Sequence, residues 1–351
     1  MPVTASSPSR PPAPRVLLIR RRYLGDIVLL GSVLRNLRLH WPHAHLVVLT
    51  EAAYAGILAL NPDVDAALTF PRGAAGWPGF LGSLRRARFT HVLDFDNTDK
   101  TALVSRLSGA DVRVTFDREL IKFRHASFYT HRATVTNAFY DSHHITETYL
   151  ALLTSIDVPV ASREVRLLPR PEDVAFAQKL APAGDRRILV HPGSRSPYRV
   201  WPPAHFAAVC DRLQNELGAQ VALVAGPAEL PLVGEIHSRA KRAPAIIDQA
   251  LTVAQLAALL AQFELFLCHD SGPMHIAAAV GTPVVALFGS QNATIWRPPG
   301  SPHTVLQTSL PCACLGADAP GPCVKGDSYR SYCVRKISEA EVFAAVASRM
   351  G

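Results

Sequence analysis

The chain has 351 residues, of which 48% are apolar and 18% charged, with a net charge of +8. That length favours two domains with separate cores, and that composition excludes a disordered chain. No stretch nears the roughly 20 unbroken apolar residues that span a bilayer, which excludes a helical membrane protein.

In chain order, residues 1–14 are proline-rich and lack a signal-peptide core; they read as a flexible tail on a cytoplasmic protein. Residues 16–19 read as a buried strand, followed by a glycine turn and a helix over about 26–39. Residues 46–49 predict a strand, 51–59 a helix, 91–95 a strand and 98–107 a helix. A long helix over about 142–155 ends this half. A polar linker near 160–185 follows, and the alternation restarts. Strands are expected at 188–190, 221–224, 245–247, 265–267 and 283–288, with helices at 204–217, 230–241 and 253–262. Strands separated by helices signal parallel βαβ units. The chain is therefore read as α/β, with halves at 15–165 and 166–336 and a closing helix at 337–351. Open α/β sheets bind ligands beyond the carboxyl ends of their strands, so the site is expected in the cleft between the halves.

The basic balance implies acidic company: nucleotides, phosphorylated glycans or an anionic membrane face. Arg and Lys are scattered apart from Arg20–Arg22, and no finger or helix-turn-helix pattern occurs, so no nucleic-acid partner is expected.

Four turns could carry chemistry. After the strand at 265–267 the chain reads Asp270-Ser271-Gly272, and a small-residue helix starts at once. Free backbone N–H groups and a positive helix end there suit a phosphate, with His275 one turn in. At the first strand-to-helix turn, Gly25 permits a tight bend; Asp26 either caps the helix or faces the cleft as a general base. In the loop 191–202, Gly193 and Ser194 let backbone approach a ligand. Arg195 and Arg199 there either clamp an anionic oxygen pair or face water. Gly226 opens another turn, where Glu229 either accepts from a ribose hydroxyl or favours a helix start.

Other features carry less. Asp94-Phe95-Asp96 has metal-pair spacing but reads as a turn, and His143-His144 as a surface or acceptor-facing pair. There is no P-loop and no Gly-x-Gly-x-x-Gly, which argues against phosphate transfer from ATP and dinucleotide redox chemistry. Cys210 and Cys268 lie in apolar patterns and read as core. Cys312, Cys314, Cys323 and Cys333 fall in a Pro/Gly/Ala-rich loop, 311–334. These four could hold a structural zinc or remain thiols or disulfides.

Together these stretches resemble glycosyltransferase family 9, the lipopolysaccharide heptosyltransferases. The resemblance rests on Arg22-Tyr23-Leu24-Gly25-Asp26, Leu37–Pro42, Asn61-Pro62-Asp63-Val64-Asp65, the loop 191–202, Val224–Glu229 and Asp270–His275. It implies two facing Rossmann-like domains (GT-B), with the acceptor on the first and a nucleotide-sugar on the second. It implies inverting transfer without a metal or other cofactor, with Asp26 as the base. Ser194, Arg199, Ser271 and Gly272 would hold the diphosphate, with Gly193, Arg195 and Gly226 in the same donor-facing turns. Asp270 would meet the donor sugar, Glu229 the ribose, and His275 would sit beside the phosphates. Gly25, Asp96, Asn97 and His144 would face the acceptor. ADP-heptose is the expected donor, and a lipid-linked lipopolysaccharide core at the inner membrane face the expected acceptor. Arg199 replaces a frequent Lys, and Leu30-Gly31 a frequent Thr-Pro. Two other readings stand beside this one: a non-hydrolysing nucleotide-sugar epimerase of similar architecture, and a binding protein built on the cysteine cluster.

Overall fold

The computed structural model describes residues 13–119, 121, 123, 125–194, 199–300, 302–308 and 333–351. In the first lobe β1 (Arg15–Ile19), α1 (Leu24–Leu29), α2 (Gly31–His40), β2 (His45–Thr50), β3 (Ala66–Thr69), α3 (Trp77–Arg86), β4 (His91–Asp94), α4 (Asp99–Leu107), β5 (Val112–Arg118) and β6 (His131–Val135) follow one another. α5 (Asn137–Ser142) and α6 (Ile145–Thr154) complete it. In the second lobe the order is α7 (Pro171–Gln178), β7 (Arg187–His191), α8 (Pro203–Glu216), β8 (Gln220–Val224), α9 (Leu230–Arg239), β9 (Ala245–Ile247), α10 (Val253–Leu260), β10 (Leu265–His269), α11 (Gly272–Ala279), β11 (Val284–Phe288), α12 (Ala293–Trp296) and β12 (His303–Gln307). A last helix, Glu339–Met350, packs on α8.

Each lobe has one parallel six-stranded sheet, ordered β3-β2-β1-β4-β5-β6 and β12-β11-β10-β7-β8-β9. The order reverses beside β1 in one sheet and β7 in the other. Those switch points open crevices at the strands' carboxyl ends. Central strands are buried on both faces, so β1, β10 and β11 are unbroken apolar runs, as parallel sheets require.

The structure corrects several sequence expectations. The helix expected over 26–39 is two helices broken at Leu30, and 51–59 is a 3₁₀ stretch, Ala52–Leu60. The helix expected over 142–155 is interrupted at His143 and His144, which are extended. Strands β3, β5, β6 and β12 had no apolar run to reveal them, because they lie toward the sheet edges and stay partly exposed. The segment joining the lobes touches both. Leu167 N–H donates to Ala279 O at 2.8 Å and Leu168 N–H to Leu60 O at 2.8 Å, while Asn36 Oδ1 accepts from Ala161 and Ser162 N–H.

Two motif pieces prove architectural. Asp65 accepts from Leu46 N–H at 2.7 Å and from the Arg38 guanidinium at 2.8 Å, tying β3, α2 and β2 together. Trp41 packs on His91.

Candidate active site

The turn after β1 and the turn after β10 meet across the cleft. Gly25 sits inside α1 with ordinary backbone angles, so it is not needed for a tight bend. A Cβ there would lie 2.6 Å from His275 Cδ2. A Cβ on Gly272 would come within 3.3 Å of Leu24 Cβ. These two glycines let the starts of α1 and α11 touch, and that contact brings the lobes' functional groups together.

Asp26 is the third residue of α1, not its N-cap; its Oδ2 accepts from the cap residue's N–H, Tyr23, at 3.2 Å. Its Oδ1 takes the Arg20 guanidinium and the Tyr149 hydroxyl, the latter at 2.6 Å. Arg20 also donates to Asp96 Oδ1 at 3.1 Å and to Phe95 O at 2.8 Å. Burial lowers the Arg20 pKa, but Tyr149, Asp26 and Asp96 outweigh it and keep the guanidinium charged. Burial, aided by the Asp26 carboxylate, holds Tyr149 well above its usual range, so it remains a donor. Asp26 is thus a nearly buried carboxylate fixed by three donors, with lone-pair capacity left on Oδ2.

The facing wall comes from the second lobe. Asp270 receives Arg199 Nη1 at 3.3 Å. Burial raises its carboxyl to about 6; Arg199 opposes the shift and Asp26 adds to it, which shows the two carboxylates within electrostatic reach. Ser271 caps α11, and its Oγ is buried without a partner. His275 Nδ1 is also unpartnered. Burial first, then His144, lowers the His275 pKa to about 3, so the ring is neutral. Glu229 pairs with His191 Nε2 at 3.1 Å and accepts from Gly226 N–H at 3.0 Å. Its pKa falls, mainly through the His191 bond. Gly193 leaves room beside it, since a Cβ there would overlap the Glu229 carboxylate where it now lies. Trp201, just before α8, is wholly buried and donates to Ile337 O at 2.9 Å.

The expected acceptor residues are placed unequally. Asp96 is tied to Arg20 and to Arg21 N–H at 2.7 Å. Asn97 has a left-handed backbone, φ 44°, and its Oδ1 is buried without a partner. His144 has both ring nitrogens engaged: Nδ1 accepts from Thr146 N–H, and Nε2 donates to Arg297 O of the other lobe at 2.8 Å. Asp94 organises a turn, accepting from Asp96 N–H, Asn97 N–H and Tyr129 OH. Cys210 and Cys268 are buried core thiols, as is Cys333. Arg195, Cys312, Cys314 and Cys323 lie outside the described residues, as do residues 1–12 of the expected tail. Among the described residues no group of three or more His, Cys, Asp or Glu could hold a metal ion, and no helix is long and apolar enough to cross a membrane.

Sequence reasoning missed Arg20, Tyr149 and His269. Arg20 was hidden in a charge run and Tyr149 in an amphipathic helix. His269 is fully buried; its Nε2 accepts from Trp201 N–H at 2.9 Å, which leaves Nδ1 to donate to Gly193 O at 3.3 Å. One ring thereby ties both ends of the loop that carries Ser194 and Arg199 to the strand that ends in Asp270. Burial drives the His269 pKa down to about 3, so the tautomer is fixed.

Known proteins share this plan. The sequence profile of glycosyltransferase family 9 (heptosyltransferase) matches residues 80–320. Lipopolysaccharide heptosyltransferase 3 of Escherichia coli is 26% identical over 294 residues, covering 79% of this chain and 84% of that protein. The lipopolysaccharide core heptosyltransferase of Haemophilus influenzae is 24% identical over 286 residues, 80% of each. Among solved structures, a family 9 glycosyl transferase from Veillonella parvula superposes with TM-score 0.80 at 22% identity, over 96% of this chain and 97% of that one. The ADP-heptose lipopolysaccharide heptosyltransferase II of E. coli gives 0.77 at 20% identity, over 96% and 98%. Both share the two-lobed GT-B fold seen here. The profile spans well over half of the chain, and with that the chain belongs to glycosyltransferase family 9 and is a glycosyltransferase.

Proposed function

We propose that the protein transfers a heptose from ADP-heptose to a lipopolysaccharide core acceptor, with inversion and without a metal ion, at the inner face of the cytoplasmic membrane. The observation that carries this reading is the pairing of a held carboxylate, Asp26, with ligand-seeking groups across the cleft at Ser271, Arg199 and the start of α11. The relatives named for lipopolysaccharide heptosyl transfer supply the donor and acceptor classes.

In this scheme the acceptor hydroxyl gives its proton to Asp26 Oδ2 while its oxygen attacks the anomeric carbon. The carbon–oxygen bond to the diphosphate breaks on the opposite face, and the diphosphate leaves with the electron pair. Arg199, Ser271 Oγ and the Gly272 N–H at the start of α11 face the charge that accumulates there, a role a cation would otherwise fill. Asp270 accepts from donor-sugar hydroxyls. Glu229, whose Oε1 has no partner among the described residues, accepts from the ribose. His275, neutral and buried, lies beside the phosphates as a hydrogen-bonding rather than a charged group. Gly25, Asp96 and Asn97 line the acceptor side.

Thermal unfolding with ADP, GDP, UDP and CMP, each with and without EDTA, tests the donor half by mass action. ADP should give the largest shift and EDTA should leave it unchanged; a larger shift with another nucleotide defeats the donor assignment. Product analysis with ADP-heptose alone separates transfer from epimerisation, since only an epimerase alters the donor without an acceptor.

A further inference from the structure

A cavity of about 240 Å³ opens in the first lobe beside Arg20 and Asp96, and the donor machinery does not use it. Its walls are aromatic. Phe95, at the end of β4, meets Phe116 of β5 edge-on at 5.9 Å and Tyr149 of α6 edge-on at 5.5 Å. Trp296, from α12 of the other lobe, completes the lining. Three polar atoms of lining residues are buried without partners: Thr148 Oγ1, Asn97 Oδ1 and Arg20 Nε. Thr148 is 3% exposed.

We propose that this cavity binds one pyranose ring of the acceptor glycan and thereby fixes which hydroxyl reaches Asp26; the inference rests on the transfer reading above. A buried polar atom without a partner is destabilising, so three around one cavity mark a place where a ligand restores the bonds. The set is an N–H donor, a carbonyl acceptor and a hydroxyl that does both. Sugar hydroxyls, which donate and accept at once, match all three. The C–H face of a pyranose is apolar and suits aromatic walls. The volume lies below the roughly 300 Å³ at which pockets for drug-sized ligands begin, which limits the occupant to one ring.

Two lining residues, Arg20 and Tyr149, connect the cavity to the reacting carboxylate. Tyr149 forms a wall with its ring and holds Asp26 with its hydroxyl at 2.6 Å, and Arg20 lies over the same ring while pairing with Asp26. A ring seated against Tyr149 is therefore placed relative to the base by one rigid side chain. The wall from Trp296 exists only while the lobes are together, held there by contacts such as Asn292 Nδ2 to Asp141 O at 3.3 Å.

The test uses Thr148→Phe, which fills the cavity, and Thr148→Val, which keeps its shape and removes the hydroxyl. Both are assayed with lipopolysaccharide core oligosaccharides truncated stepwise, and with ADP-heptose. Thr148→Phe should raise the acceptor KM about a hundredfold and Thr148→Val about tenfold, a loss of one hydrogen bond. Donor KM and the ADP-induced thermal shift should match the wild type in both, which also verifies folding. If wild-type protein transfers heptose but Thr148→Phe leaves the acceptor KM unchanged, the cavity assignment alone is overturned. It is overturned too if donor and acceptor constants worsen together, since the effect then comes through the fold. If the wild type transfers to none of the oligosaccharides, the reading of function falls and takes the inference with it.

Discussion

The two turns that meet across the cleft are built alike and furnished oppositely. Each follows a central parallel strand and starts a helix, and each uses a glycine to let the other approach. In the turn after β1 the key carboxylate is pinned: Arg20, Tyr149 and the Tyr23 N–H all hold Asp26. On the other side the groups are left wanting: Ser271 Oγ and His275 Nδ1 in the turn after β10, and Arg199 Nε in the loop after β7 beside it, are buried without partners. A group that reacts must already be aimed, so its own lobe pins it. Groups that bind a departing nucleotide are completed by the ligand, and stay open until it arrives.

The largest effect should come from the pinned side. Asp26→Asn should lower transfer about 10²–10⁴-fold while the ADP-induced thermal shift persists. Transfer at the wild-type rate would remove Asp26 from the chemistry and collapse the contrast.

Gly25→Ala probes the junction itself. Its Cβ must displace His275, so the two turns separate, and misplacement near 1 Å should cost about a hundredfold in kcat/KM. Overpacking should also lower unfolding stability by about 1–3 kcal/mol, measured in urea. Wild-type kinetics in this variant would mean the two turns need not touch during catalysis.

His269 sharpens the open side. His269→Leu should raise donor KM about tenfold with a smaller change in kcat, because Gly193 and Trp201 lose their bonds to the ring. His269→Gln, whose amide can still accept from Trp201 N–H and donate to Gly193 O, should recover most of that loss. If both variants lose stability equally and neither alters donor KM, the ring is only core.

The smallest effect is a pH dependence. In the folded protein burial raises the Asp270 carboxyl to about 6, above the ordinary carboxylate value of 3.8. The folded state therefore binds this proton more tightly than the unfolded chain, so the associated stability is present below about pH 4 and is lost as pH rises to about 6. Asp270→Asn should match the wild type near pH 4 and melt a few degrees higher near pH 7. Asp94, raised in the same direction, is common to both proteins and cancels in the difference. A melting difference that is constant across this range would show that Asp270 is not held protonated by its surroundings.

Much of this site was legible in the chain. A strand ending in Gly-Asp or Asp-Ser-Gly before a helix can be recognised because the requirement is local. The same locality explains the errors. Gly25 was read as a bend former, yet its reason is His275, about 250 positions away. His144 was read as facing an acceptor, yet its nitrogens are spent on a cap and on Arg297 of the other lobe. The strands β3, β5, β6 and β12, at or next to the sheet edges, escaped notice because partly exposed strands carry at most short apolar runs.

By itself the sequence determined the α/β class, the two halves and the residue types at each phosphate-facing turn, because strand and helix periodicity and turn chemistry act over a few neighbours. Only the tertiary structure decided which partners Asp26 would have, why two glycines were indispensable, and that an aromatic cavity would form beside the base. Those outcomes depend on groups brought together from distant segments, and on burial that exists only once both lobes have closed upon each other.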